Sequence, residues 1–158
     1  MGKLLEWDDA LSVGIQEIDE QHKVLVGLLN ELHEAILSHH GREQCGEVLN
    51  RLIEYTRIHF AVEESLMRIL HYPGYEVHKA EHEALIIQAM DIYQRYTQDK
   101  VNISMELLYF LKAWLGEHII KSDKEYAPHF MAMGVKKQWM KDSWLRKLFH
   151  HRSEDLVH

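Results

Sequence analysis

Seven side chains of the kind that bind metal ions lie at spacings that can bring them together inside a helical protein. In chain order they are His22, His59, Glu63, His78, His82, His118 and Asp123. Two spacings, His59 to Glu63 and His78 to His82, are i,i+4, which stacks both side chains on one face of a helix. Each pair falls on an apolar stripe, where an isolated polar group is costly. A pair of metal ions would satisfy all seven side chains together.

The simpler interpretation is that these are ordinary polar residues. A single histidine on an apolar face is usually a satisfied core or boundary residue, and adjacent acids such as Glu63 and Glu64 are usually solvated. Taken together, however, these groups would cost several kcal/mol each if buried without partners, which is of the order of the stability of a whole domain. The metal interpretation is therefore preferred. We expect the other eight histidines to lie in loops or on the surface.

Four stretches with helical periodicity, separated by short breakers, must position these side chains. The predicted helices cover residues 18–38, 44–70 and 75–96, and the fourth begins after a cap at Asn102 or Ser104 and carries His118. Asp19 is the predicted N-cap of the first helix. Short connections make neighbouring helices antiparallel. The predicted fold is all-α, an antiparallel up-down-up-down four-helix bundle with a short N-terminal arm and a C-terminal helical extension.

This topology also places the histidines. His22 is early in the first helix, His59 late in the second, the 78/82 pair early in the third and His118 late in the fourth. In an antiparallel bundle, all of them lie toward one end. Asp123 is i+5 from His118, about 140° around a regular helix. We therefore predict that the helix ends or is distorted near Ser122.

The composition suits one compact domain. The chain has 158 residues, is 46% hydrophobic and carries a net charge of −7, which disfavours nucleic acid as a partner of the body of the protein. The single Cys45 excludes an internal disulfide. The N-terminus does not resemble a signal peptide, and no apolar run approaches the ~20 residues that span a bilayer. We expect a cytoplasmic protein, with a bundle domain at residues 1–133 and a basic amphipathic extension at residues 134–158.

The extension has six Lys or Arg residues against three acids, and Met140, Trp144 and Leu148 share one helical face. We favour a fifth helix that packs on the bundle. The functional alternative is a helix that docks on an acceptor protein or a membrane surface. We expect the protein to be a monomer.

Three segments of the sequence resemble a known protein family. The stretch from His59 to His82, HFAVEESLMRILHYPGYEVHKAEH, is similar to the signature of the hemerythrin family. Two further segments, WDDALSVGIQEIDEQHKVL from Trp7 and WLGEHIIKSDKEY from Trp114, are similar to its bacterial branch. The resemblance covers roughly residues 5–133 and includes all seven candidate ligands.

The resemblance implies a non-haem di-iron centre, two iron ions joined by an oxo or hydroxo bridge. One iron would be held by His78, His82 and His118 and the other by His22 and His59, with Glu63 and Asp123 bridging both. The first iron would then be six-coordinate. The second would keep one open position, where dioxygen would bind end-on and take one electron from each iron.

The residues themselves leave the metal open, since imidazole also suits zinc, copper and nickel. The balance of five histidines to two carboxylates contrasts with the Glu-x-x-His pairs of di-iron oxidases and favours binding over substrate oxidation. The predicted lining of the oxygen pocket, which can equally be ordinary core, is Phe60, Trp114, Leu115 and Ile119.

The predicted function is reversible dioxygen binding, for carriage, storage or delivery, without enzymatic activity. Three alternatives remain: an oxygen or redox sensor that acts through a partner, a di-iron oxidase or peroxidase, and iron storage.

Overall fold

A computed structural model of the protein describes residues 4–38, 41–98 and 105–135, excluding the side chains of residues 105–107, 119 and 120. The helices are α1 (Gln16–Leu37), α2 (Arg42–Ile69), α3 (Tyr75–Thr97), α4 (Met105–Glu117), a π-helical turn (His118–Asp123) and α5 (Lys124–Ala132). The last three follow without a break and form the fourth helix. The four-helix bundle is confirmed, with no strand among these residues. The predicted caps at 102 or 104 and the extension from 136 onward lie outside the described residues.

A layer of polar side chains divides the apolar core into two clusters. The larger one, the large core, includes Leu25, Leu29, Leu49, Leu52, Ile53, Ala89, Ile92, Leu108, Leu111 and Leu115. The smaller one, the small core, includes Val13, Ile15, Ile18, Leu66, Met67, Tyr126, Ala127, Phe130 and Val135. Along α1 the chain passes from the small core to the large core, and along α2 it returns. α1 and α2 therefore run antiparallel. The polar layer lies at the same height along the bundle axis on each helix.

The N-terminal arm contains a short 3-10 helix, Asp9–Leu11, and returns to the first turn of α1. The predicted N-cap at Asp19 is wrong, because α1 begins at Gln16 after Ile15, which makes no side-chain cap. Instead the Asp19 carboxylate accepts hydrogen bonds from the Ser12 hydroxyl, at 2.5 Å, and from the Val13 backbone N–H, at 2.8 Å. Its partners belong to the arm that precedes the helix, and it therefore ties the arm to α1.

The C-terminal end of the bundle is a glycine-terminated helix. Gly134 adopts a φ of 100°, a conformation that favours glycine. The Gly134 N–H donates to the Met131 carbonyl at 3.1 Å, and the Val135 N–H donates to the Phe130 carbonyl at 3.0 Å. Val135 then packs in the small core. A truncation that removes the extension should therefore retain Val135.

Within the described ranges, no helix combines the length and apolar character that a bilayer crossing requires.

We predict that Asp19→Ala destabilises the metal-loaded protein by about 2 kcal/mol, because it removes both charged hydrogen bonds that hold the arm. Urea denaturation measures the loss. The matched control is Glu20→Ala, which removes an exposed ion pair with Lys23 and should cost at most about 0.5 kcal/mol. Equal losses in the two variants would show that the arm is held by other contacts.

Candidate metal centre

The structure brings all seven sequence-predicted ligands into the polar layer between the two cores. Each side chain is buried, with at most 5% of its surface exposed. Their ligand atoms form two groups whose members lie within 4.8 Å of one another. The first group is Glu63, His78, His82, His118 and Asp123, and the second is His22, His59, Glu63 and Asp123. The two groups share both carboxylates, which is the arrangement that a pair of bridged ions needs.

The two oxygens of each carboxylate face opposite groups. Glu63 Oε1 lies 2.6 Å from His59 Nε2, whereas Glu63 Oε2 lies 3.2 Å from His82 Nε2. Asp123 Oδ2 lies 2.8 Å from His22 Nε2, whereas Asp123 Oδ1 lies 3.1 Å from His118 Nε2. Two ligand atoms that sit about 2.1 Å from one ion, at right angles, are about 3 Å apart. These spacings therefore match ligands that surround two neighbouring ions.

A π-helical turn brings Asp123 to the same centre as His118. The predicted distortion of the fourth helix is confirmed, because residues His118–Asp123 form this turn and α-helical geometry resumes at Lys124. A π-helix closes hydrogen bonds between residues i and i+5, so its turn is wider than that of an α-helix. Residues five apart then return to one face. As a result, His118 Nε2 and Asp123 Oδ1 reach the same group of ligands.

Buried atoms without hydrogen-bond partners test whether metal ions fit here. Among the described residues, ten buried side-chain nitrogen and oxygen atoms have no such partner, and eight of them belong to the seven-residue cluster. The other two are the carboxylate oxygens of Glu17. Orphaned polar atoms are rare in folded proteins and call for a partner. Imidazole nitrogens and carboxylate oxygens that converge in this way fit divalent metal ions.

Four further side chains contact the cluster from outside, and sequence reasoning did not assign them. The amide oxygen of Gln21 accepts a hydrogen bond from His59 Nδ1 at 2.5 Å, which leaves His59 Nε2 free to act as a ligand. The Tyr126 hydroxyl donates to Glu63 Oε1 at 3.0 Å. Tyr126 ends the segment WLGEHIIKSDKEY, three residues after Asp123, but its spacing does not predict a contact with Glu63.

Carboxylates from outside the cluster lie near two more of its five imidazoles, those of His82 and His118. Glu64 Oε2 lies 3.4 Å from His82 Nδ1, so Glu64 is a neighbour of the cluster and more than a solvated acid. Glu81 lies 3.8 Å from His118 Nδ1 and accepts a hydrogen bond from the Ser122 hydroxyl at 2.5 Å. These interactions hold the pKa of Glu81 at about 2. A hydrogen bond from an outer partner orients a metal-binding imidazole and selects its tautomer, as Gln21 does for His59.

Within the cluster, the side chains stabilise each other's charged forms. Burial alone would lower the pKa of His59, but the carboxylates of Glu63 and Asp123 raise it to about 9. For the same reason the pKa of His78 is raised to about 9 and that of His118 to about 10. Burial alone would raise the pKa of Glu63 and Asp123, but the imidazoles hold both well below the usual range. Protons can thus hold the cluster together, and a metal ion must displace them.

Of the four residues predicted to line an oxygen pocket, one contacts a candidate ligand directly and two belong to the large core or pack against it. The Phe60 ring stacks on the His82 imidazole, with centroids 3.7 Å apart. Leu115 is buried in the large core, three residues before His118. Trp114 is half-buried and packs against the same core. The side chain of Ile119 lies outside the described residues.

Known proteins are similar to this chain in sequence and in fold. The model of the hemerythrin HHE cation binding domain matches residues 13–130. A bacteriohemerythrin of Stenotrophomonas maltophilia is 40% identical over 82% of this chain and 83% of its own. One from Pseudomonas aeruginosa is 37% identical over 90% of this chain and 94% of its own. The crystal structure of wild-type hemerythrin superposes with a TM-score of 0.76 at 30% identity, covering 80% of this chain and 98% of that one. The chain belongs to the hemerythrin family.

The charge pairing in the cluster predicts a pH dependence for the metal-free protein. The raised pKa values of His59, His78 and His118 contribute stability that is fully present below pH 6.5 and is lost as the pH rises through 9 to 10. We expect the free energy of unfolding, measured in urea, to fall by several kcal/mol between pH 7 and pH 10.

The metal-loaded protein is the control, because imidazoles that bind a metal are already deprotonated. Its stability should change little over the same range. A metal-free protein with the same flat profile would show that imidazolium–carboxylate pairs do not hold the cluster.

Proposed function

We propose that this protein holds two iron ions in the seven-residue cluster and binds dioxygen reversibly, for carriage, storage or delivery. One ion would be held by His78, His82 and His118, the other by His22 and His59, with Glu63 and Asp123 bridging them. The observation that carries the proposal is the division of each carboxylate's two oxygens between the two groups of histidines. Iron as the metal is supported by the family and by a donor set of imidazoles and carboxylates.

The two groups of ligands are unequal. Three histidines accompany the shared carboxylates in one group, but only two do so in the other. The group of His22 and His59 therefore leaves more room for an added ligand. Two irons, when bound there, supply the electrons that dioxygen takes up and returns. The role of the protein chain is to hold the irons and to keep competing molecules away.

Burial favours binding over enzymatic turnover. Each cluster side chain is at most 5% exposed, so an organic substrate in the α3–α4 cleft, which His118 lines, would meet little of the ligand surface. A diatomic molecule needs far less space. Phe60 and Leu115, both at most 3% exposed, place apolar surface beside the layer, which disfavours water and protons. We therefore propose an oxygen-binding protein that consumes no substrate.

The test is the visible absorption spectrum of the reduced, iron-loaded protein. We predict a charge-transfer band that appears on adding dioxygen, disappears under argon and returns over repeated cycles. Steady consumption of dioxygen in the presence of a reductant would instead favour an oxidase. His118→Ala should lose the reversible band, because one group of ligands is broken. His129→Ala should keep it, because His129 bonds the Leu70 carbonyl, away from the cluster.

A second prediction concerns the apolar surface. Leu115→Ala should speed the irreversible oxidation of the oxygenated protein several-fold, because the cavity it leaves admits water next to His118. The decay of the oxygenated spectrum measures this rate. Leu108→Ala is the matched control, since Leu108 is equally buried on α4 and lies two turns earlier. If both variants decay at the same rate, Leu115 does not protect the site.

A further inference from the structure

The α3–α4 cleft connects the surface of the protein with the candidate metal centre. Its volume is about 410 Å³, and it lies between α3 and the fourth helix. The polar side chains that line it include Glu81 from α3 and Glu117, His118, Lys121 and Ser122 from the fourth helix. His118 is one of the seven candidate ligands, so the inner wall of the cleft belongs to the cluster.

His118 separates the cleft from the cluster, with one ring nitrogen on each side. Its Nε2 lies 3.1 Å from Asp123 Oδ1, inside the cluster, whereas its Nδ1 lies 3.8 Å from Glu81 Oε1, in the cleft. The residue is only 5% exposed, and Nδ1 has no hydrogen-bond partner. A buried polar atom of this kind calls for a partner. The imidazole therefore offers a nitrogen ligand to a cation in the cleft.

Glu81 places a carboxylate beside that nitrogen. Its side chain is 42% exposed, so it meets solvent as well as His118. The Ser122 hydroxyl donates to Glu81 Oε1 at 2.5 Å, which ties this carboxylate to the π-helical turn. Ligand atoms about 2.1 Å from one ion are about 3 Å apart at right angles and about 4.2 Å apart on opposite sides. The 3.8 Å from Glu81 Oε1 to His118 Nδ1 falls within this range, so the two atoms can share one cation.

The size and polarity of the cleft suit a hydrated divalent cation. An ion with about six waters occupies roughly 180 Å³, at about 30 Å³ per water, which is well below the volume of the cleft. The large core and the small core lie on either side of the polar layer, and passage of an ion through apolar packing is strongly unfavourable. A polar path from the side of the bundle avoids that cost.

The charges at the cleft favour cations over anions. Lys121 Nζ lies 2.7 Å from Glu117 Oε1, so this exposed pair largely cancels its own charge. The negative charge of Glu81 then remains beside His118. A cleft with a net negative charge raises the local concentration of cations and speeds their association.

We propose that the α3–α4 cleft is the port through which divalent metal ions enter the cluster, with Glu81 as the first protein ligand and His118 as the residue that passes the ion inward. The inference rests on the proposed binding of metal ions by the cluster, and it does not depend on iron or dioxygen. The ion exchanges water for Glu81 and for His118 Nδ1, and a rotation of the imidazole then brings it to Glu63 and Asp123. The step is a ligand exchange, in which nothing is oxidised or reduced and the displaced protons go to solvent.

The experiment uses Co²⁺ as the probe, because its visible absorption bands report binding to nitrogen and oxygen ligands. Stopped-flow mixing with the metal-free full-length chain measures uptake. Excess EDTA added to the cobalt-loaded protein measures release, at concentrations where the rate no longer depends on EDTA. Entry and exit follow the same route, so a residue of the route changes both rates and leaves the affinity unchanged. A residue that only orients His118 changes the affinity instead.

Glu81→Gln is the principal variant, since it keeps an oxygen that can accept from Ser122 but removes the charge. We expect uptake and release each to slow several-fold, with wild-type Co²⁺ stoichiometry and affinity. The matched control is Glu83→Gln, which removes an equal charge from the same helix at a side chain that faces Lys79 at 4.0 Å and does not line the cleft. Its rates should equal those of the wild type.

Two results for the charge variants would overturn the port. Faster release of Co²⁺ from Glu81→Gln with unchanged uptake would show that Glu81 only orients His118. Slower uptake by Glu64→Gln, but not by Glu81→Gln, would place the entry between α2 and α3, where Glu64 lies 3.4 Å from His82 Nδ1.

Changing the cleft itself gives effects of both signs. Lys121→Gln should speed uptake, because it leaves the charge of Glu117 uncompensated. Ala113→Phe adds a ring to the lining of the cleft and should slow uptake and release together. Its control is Ala61→Phe, which adds the same ring at an exposed position of α2 outside the cleft. Equal rates in the two phenylalanine variants would show that ions do not pass through the cleft.

The same measurements separate this inference from the proposed function. Wild-type protein that takes up no Co²⁺ would overturn both the metal centre and the port. Full uptake at equal rates in the wild type and Glu81→Gln would overturn the port alone. Iron-loaded protein without a reversible dioxygen spectrum would overturn the proposed function, and the cobalt rates would still support the port if Glu81→Gln slows both of them.

Discussion

Glu63 and Asp123 place two fully buried carboxylates in the middle of a helical bundle, and the four helices must together compensate their negative charge. Burying an uncompensated carboxylate costs far more than one packing contact can return. Five imidazoles surround the pair, and every helix of the bundle contributes at least one member of the cluster. The charge balance of the site therefore acts across all four helices at once. The same groups that oppose folding when unpaired join the helices when ions bind them.

The π-helical turn shows how the site and the bundle depend on each other. A regular helix would point His118 and Asp123 in different directions, and the wider turn brings them to the same centre. The residues that follow, Tyr126 and Phe130, are fully buried in the small core. The Tyr126 hydroxyl returns to Glu63, so this core also orients one of the shared carboxylates. A change in the turn would therefore displace the ligand and the core packing together.

Much of this arrangement could be predicted from the sequence, because the spacing of apolar residues determines both the helices and the faces that meet. The predicted limits of the first three helices lie within two residues of those observed. The i+5 offset of Asp123 required a distortion, and a π turn is present. The predicted N-cap at Asp19 was wrong, because N-cap preferences consider only the residues that follow in the same helix. Asp19 instead accepts hydrogen bonds from the arm that precedes the helix. Gln21 and Glu81 could not be predicted, because a polar residue next to a ligand in the sequence does not alter the spacing of apolar residues. Their role depends on contacts between helices.

We propose that one buried cluster holds two iron ions that share Glu63 and Asp123. Anomalous X-ray diffraction from crystals of the protein, collected at the iron absorption edge, tests it most directly. We expect two peaks, one beside His22 and His59 and the other among His78, His82 and His118, with both carboxylates in contact with both peaks. A single peak, a signal at the zinc edge alone, or a carboxylate that contacts only one ion would contradict it.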